Sequence, residues 1–182
     1  MITVLLKKSE VEFVIRFAKL AEIGGKSNIR ETSQDRIKYL GDDQLVGQLG
    51  EAALHKYWYG HLLEYARFRW FKNRNKSSGD HGIDIMPFNI DVKGSLLRNG
   101  NRSFDNYRLA VRPQERHKDW IYISALVKLE DNGGALVYLM GWETDDNLPS
   151  EPDIDGALKG AYTITNSNLK PLMPLRTLWL LE

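Results

Sequence analysis

Asp84, Asp91 and Lys93 are the residues whose types and spacing could do chemistry. They fall in one short stretch, Ile83-Asp84-Ile85-Met86-Pro87-Phe88-Asn89-Ile90-Asp91-Val92-Lys93. A two-residue hairpin turn at Pro87-Phe88 is disfavoured, because neither residue readily takes a positive φ. A loop from Met86 to Asn89, with Pro87 at its second position, fits better. That register sets Ile85 opposite Ile90, Asp84 opposite Asp91 and Ile83 opposite Val92. Period-two alternation then gathers Ile83, Ile85, Ile90 and Val92 on one face, with Asp84, Asp91 and Lys93 on the other.

Two carboxylates directly opposite each other, with Cβ atoms roughly 4.5–5.5 Å apart, destabilise a sheet. Protonation of one, neutralisation by Lys93, or a divalent cation bridging both would offset the repulsion. Oxygen donors alone suit Mg²⁺ or Mn²⁺ and not zinc. Lys93 cannot ligate metal. Its ammonium can orient a metal-bound water or stabilise charge developing on a phosphoryl group. A bare Asp-x-Lys triplet is common and reads as an exposed Lys–Asp pair. Asp84, the flanking isoleucines and the closing Gly94-Ser95 make the pattern more specific.

The rest of the chain must supply the frame. Its 182 residues fit one domain with a real core, and 42% hydrophobic with 27% charged content argues against wholesale disorder. No apolar run approaches the length a bilayer requires. Met1 to Lys8 lacks a basic region ahead of its apolar residues, so it reads as a strand or helix lead-in and not as a signal peptide. The absence of cysteine excludes disulfides, thiol catalysis and cysteine-based metal sites, and suits a cytoplasmic location.

Ser9 and Glu12 form a capping-box pair ahead of a helix that Gly24-Gly25 ends. A shorter helix is expected from Thr32 or Ser33 to Leu40. A third begins at Asp42 or Asp43, with Leu45, Val46, Leu49, Ala53 and Tyr57 on one face. Gly47 and Gly50 inside it point to close approach by a neighbouring element. The aromatic–basic alternation from Tyr65 to Phe71 predicts a strand, followed by a polar loop from Lys72 to Asp80. Gly82 to Met86 and Ile90 to Leu96 are the hairpin arms. Trp120 to Leu129 and Ala135 to Trp142 are further strands around a turn at Glu130-Asp131-Asn132-Gly133-Gly134. Asp145 to Asp155 is an acidic loop, and Leu172, Leu175, Leu178, Trp179 and Leu180 dock the tail. The order implies an α/β (α+β) domain with a mostly antiparallel sheet. It divides into an N-terminal helical extension (1–41), a core (42–142), and the acidic loop with its docking segment (143–182).

With Gly50-Glu51 on the third helix, Gly82-Ile83-Asp84 and Asp91-Val92-Lys93 resemble the PD-(D/E)XK nuclease superfamily, which includes type II restriction enzymes and archaeal Holliday-junction resolvases. The resemblance covers roughly Leu45 to Leu97, and Ile83 stands where the family often has proline. It implies a restriction endonuclease-like core, a mixed central sheet flanked by helices. It implies that Asp84, Asp91 and Glu51 bind Mg²⁺ or Mn²⁺, that Lys93 assists attack by water, and that the Val92 carbonyl adds a ligand. The implied activity is metal-dependent endonucleolytic hydrolysis of DNA. The alternative is a non-cleaving nucleic-acid-binding module on the same fold.

On its own residues Glu51 reads as an ordinary helix-surface carboxylate, and Gln48, three residues earlier on a neighbouring helical position, is a secondary candidate to hydrogen-bond near the site. Asp80 and His81 sit in a polar turn and could add an outer ligand. From Tyr65 to Lys118 there are twelve Lys or Arg against five Asp or Glu, the charge pattern of a polyanion partner such as DNA. Arg67, Arg69, Arg74, Lys76, Arg98 and Arg102 bracket the acidic site as candidate phosphate contacts, and Arg108, Arg112, Arg116 and Lys118 follow. From Glu130 to Gly160 one Lys faces eight Asp or Glu, which reads as a solvated loop. Cutting both strands of a duplex would favour a homodimer.

Overall fold

Ile2-Thr3-Val4-Leu5-Leu6 alternates, burying Val4 and Leu6 while Thr3 and Leu5 stay exposed, and it forms strand β1 (Ile2–Leu6). The structure is a computed structural model and describes residues 1–23, 42–74, 89–97, 103–156, 158–173 and 175. The helix expected at Thr32–Leu40 and the first hairpin arm, Gly82 to Met86, lie outside them. So do Leu178, Trp179 and Leu180 of the tail; Leu172 and Leu175 are buried in the main core as expected.

The protein is a mixed α+β structure. Among the described residues, strands β2 (Ile90–Leu96), β4 (Ile121–Leu129) and β5 (Ala135–Thr144) join β1 in a four-stranded sheet of order β1-β5-β4-β2. β1 and β4 each pair antiparallel with β5, and β2 runs parallel to β4. The segment expected as a helical extension therefore also contributes a strand to the central sheet. β4 is buried on both faces, which its near-continuous apolar run anticipates. Glu130 to Gly134 makes the expected turn, with Gly133 at φ 83°.

Among the described residues three helices, α1 (Lys8–Ile23), α2 (Asp42–Tyr59) and α3 (Leu63–Arg74), accompany the sheet. The main core packs Val11, Val14, Val46, Leu49 and Leu54 with Ile90, Val92, Ile123 and Val137. A second cluster of Leu109, Val111, Trp120, Tyr122 and Leu148 lies on the face toward which Tyr122 projects. There β3 (Arg108–Val111) and β6 (Tyr162–Thr165) form a small antiparallel sheet that was not expected. Each is four residues long, too short for alternation to stand out.

Two expected elements change. Tyr65 to Phe71 is helix and not strand, and α3 continues to Arg74 into the expected polar loop. The two arginines show why. A strand would put Arg67 and Arg69 on one face, whereas Arg67 is exposed and Arg69 is buried with Tyr65, one helical turn before it. The i, i+4 pair Tyr65 and Arg69 meets polar partners on α2, and that contact overrides the period-two pattern. The start of α1 also moves. Its cap is not the Ser9–Glu12 box: the Lys7 N–H donates to Glu10 Oε2 at 2.7 Å. Glu10 is anchored there because Lys56 of α2 donates to the same oxygen at 2.7 Å.

Close approach of α2 to β2 sets the sheet's inner face. A Cβ on Gly50 would meet Ala125 Cβ at 3.1 Å and Val92 Cγ1 at 3.3 Å. One on Gly94 would lie 2.7 Å from the Val46 carbonyl oxygen. Replacing Gly94 with Ala should cost about 1–3 kcal/mol of stability through a backbone clash. Gly47→Ala meets nothing within 4 Å. It should instead gain up to about 1 kcal/mol from helix propensity. Urea unfolding of the two variants should move the midpoint in opposite directions.

Burial opposes ionisation of Glu10, but Lys56 and the Lys7 N–H outweigh it and hold the carboxyl below its ordinary value. Its stabilisation is therefore full at neutral pH and is lost as pH falls below the ordinary carboxylate range. Glu10→Gln should flatten the acid limb of a plot of melting temperature against pH.

Candidate functional site

Val92 faces α2, so alternation turns Asp91 and Lys93 to the opposite face of β2. The expected sharing of one face by Asp91 and Lys93 is seen directly: Lys93 Nζ lies 2.7 Å from Asp91 Oδ2. Asp91 is buried and Lys93 nearly so. Lys93 also donates to Glu115 Oε2 at 2.9 Å. Burial acts to lower the Lys93 pKa. The Asp91 and Glu115 carboxylates outweigh it and hold the ammonium charged, above its ordinary value.

Glu115 closes a 3₁₀ turn, Pro113–Glu115, whose geometry begins in the sequence Arg112-Pro113-Gln114-Glu115. Pro113 presets the first position, and Glu115 Oε2 accepts from the Arg112 N–H at 3.2 Å. Tyr122, paired in register with Asp91 across β2 and β4, holds the turn from beneath. Its hydroxyl donates to the Glu115 carbonyl at 3.1 Å and accepts from the His117 N–H at 2.8 Å. Burial is the main cause raising the Tyr122 pKa, so the phenol stays protonated as that donor. Pro113 followed by Glu115 marks the turn in the sequence, but 22 residues separate Glu115 from Lys93, so only tertiary structure joins them.

Glu51 and Gln48 belong to a polar stripe on α2 that includes His55. These positions sit three and four residues apart, and α3 covers them. Gln48 Oε1 accepts from the Tyr65 hydroxyl at 3.0 Å. Glu51 pairs with Arg69, both buried. His55, to which the sequence assigned no role, stacks edge-on to Tyr65 with ring centroids 5.8 Å apart. The crossing of α2 over β2 is antiparallel, since Gly47 meets Gly94 and Gly50 meets Val92. It carries Glu51 toward the Ile90 end of the strand but on the α2 side, opposite the face of Asp91 and Lys93.

Arg67 is an exposed candidate and forms a surface pair with Glu64 at 2.7 Å. Arg69 is turned inward onto Glu51 and away from solvent. Arg74 ends α3. Asp80, His81, Asp84, Lys76, Arg98 and Arg102 lie outside the described residues. The acidic segment is only partly the solvated loop expected of it. Asp145 takes Arg116 at 2.8 Å, Asp153 takes Arg108 at 3.4 Å and Glu143 takes Lys170 at 2.7 Å. Arg112 and Lys118 are exposed on the segment that carries Glu115.

Carboxylate and carbonyl oxygens are the donors available, and they fit Mg²⁺ or Mn²⁺ chemically. Among the described residues no three carboxylate or imidazole groups come together to hold a metal. Asp91 and Glu51 are two of the expected donors, Val92 lies within the β2–β4 ladder, and Asp84 falls outside. Comparison with protein-family models, curated proteins and solved structures gave no match to this chain.

Removing one partner of a buried ion pair strands the other charge, at a cost of about 3–5 kcal/mol. Arg69→Ala should destabilise by that order in denaturant unfolding. The double change Glu51→Leu with Arg69→Leu should recover most of the loss.

Proposed function

We propose that the chain is a metal-dependent nuclease that hydrolyses phosphodiester bonds of DNA, an endonuclease on a restriction endonuclease-like core. The observation that carries this reading is the buried Asp91 carboxylate in contact with the Lys93 ammonium, 2.7 Å apart on a strand whose other face is sealed by α2. Glu51 and Asp84 complete the proposed ligand set with Asp91 and the Val92 carbonyl, as the resemblance implies. Bound Mg²⁺ or Mn²⁺ supplies an ionised water and neutralises charge at the phosphorus centre.

The chain's own residues do the remaining work. Asp91 provides a buried carboxylate whose oxygen the cation would take over from the Lys93 ammonium. Lys93 places a fixed positive charge where the phosphoryl oxygens gain negative charge, and its partial burial strengthens that interaction over its value in water. Exposed Arg67, Arg112 and Lys118 give salt-dependent, sequence-independent contacts to the phosphate backbone. The choice of DNA follows the family resemblance. The absence of cysteine suits the cytoplasm, and cutting both strands of a duplex would favour a homodimer. Among the described residues no helix is long and apolar enough to cross a membrane.

The second reading is a nucleic-acid-binding module that does not cut. It is favoured by one observation: Asp91 and Glu51 each already touch a cationic side chain. Incubation of plasmid, single-stranded and branched DNA with Mg²⁺ or Mn²⁺ separates the two. The nuclease reading expects cleavage that Asp91→Asn and Lys93→Ala reduce by about two orders of magnitude or more. It also expects Mn²⁺ to raise the melting temperature of the wild type. Equal cutting by wild type and Lys93→Ala would falsify the mechanism. DNA binding without cutting would establish the second reading.

A further inference from the structure

Among the described residues Lys93 has two acidic partners, and the nuclease reading assigns work to only one of them. If Asp91 gives its oxygen to a divalent cation, the ammonium loses its contact with Oδ2 at 2.7 Å. A largely buried ammonium without a counter-charge is costly. Lys93 would then be driven from the site or would compete with the cation for Asp91. Glu115 Oε2, at 2.9 Å, is the group that prevents both. Its place is set independently of Lys93, by the Arg112 N–H on the same oxygen and by Tyr122 beneath the turn. Tyr122 is also the residue in register with Asp91. One strand pairing thus fixes the distance between the two carboxylates that share the lysine.

We infer that Glu115 is a positioning residue, holding the Lys93 ammonium beside the site while Asp91 ligates the cation. The inference rests on the nuclease reading but assigns a residue outside its motif. Glu115 touches neither metal nor substrate; it acts through Lys93.

The test is a double-mutant cycle read by Mn²⁺ titration in a calorimeter, without nucleic acid. Glu115→Gln should weaken Mn²⁺ binding by about three- to tenfold, because Lys93 then rests wholly on Asp91. The same change made in Lys93→Met should have no effect, since no ammonium remains to compete. Glu115→Asp should restore part of the lost affinity. A merely structural role for Glu115 predicts equal weakening in both backgrounds, and that result overturns the inference, as does unchanged affinity in Glu115→Gln. Either leaves the nuclease reading standing if the wild type binds Mn²⁺ and cuts DNA. A wild type that neither binds Mn²⁺ nor cuts overturns both.

Discussion

The close seating of α2 on β2 is the constraint on which the rest depends. Gly50 lets the helix reach Val92 and Ala125, and Gly94 lets the Val46 carbonyl approach the strand backbone. Larger side chains at either place would push helix and sheet apart. With the two elements that close, Ile90 and Val92 are committed to the main core. Because β-strand side chains alternate strictly, Asp91 and Lys93 have nowhere to go but the opposite face. The chemistry of the site is in this sense a consequence of helix packing on its back.

That commitment brings charge into places where charge is expensive. Asp91, Glu51 and Arg69 are buried, and each is matched by a neighbour of opposite sign. Such pairs contribute little net stability compared with apolar packing, yet breaking one is costly. The same logic extends to the small β3–β6 sheet. There, Arg108 and Arg116 are held by Asp153 and Asp145, so part of the acidic segment neutralises the chain's own basic residues. The strong charge asymmetry along the sequence therefore folds partly onto itself. Arg112 and Lys118 remain exposed.

Tyr122 links these two halves. It pairs in register with Asp91 and sits in the second cluster with Leu109 and Val111. Its hydroxyl braces the turn that presents Glu115. The parallel β2–β4 pairing, which needs a long crossover, is what allows residues so far apart in the chain to converge on one lysine.

Local periodicity was enough to read much of this protein from its sequence. The strands β2, β4 and β5, the helix carrying Glu51, and the placement of Asp91 with Lys93 all follow from spacings of two or of three to four residues, which the backbone enforces without reference to distant neighbours. The glycines at 50 and 94 carried different information. Gly50 flagged close approach, while the partner of that approach stayed hidden. What only tertiary structure decided was every outcome set by a remote contact. Tyr65 and Arg69 became helical because α2 offers Gln48 and Glu51 to a face with a four-residue repeat. The cap of α1 moved to Glu10 because Lys56, 46 residues away, reaches it. Glu115 joined Lys93 across 22 residues. Alternation and helical spacing are properties of a few bonded neighbours, so sequence determines them. The pairing of buried charges depends on which surfaces the fold brings together, so the fold decides it.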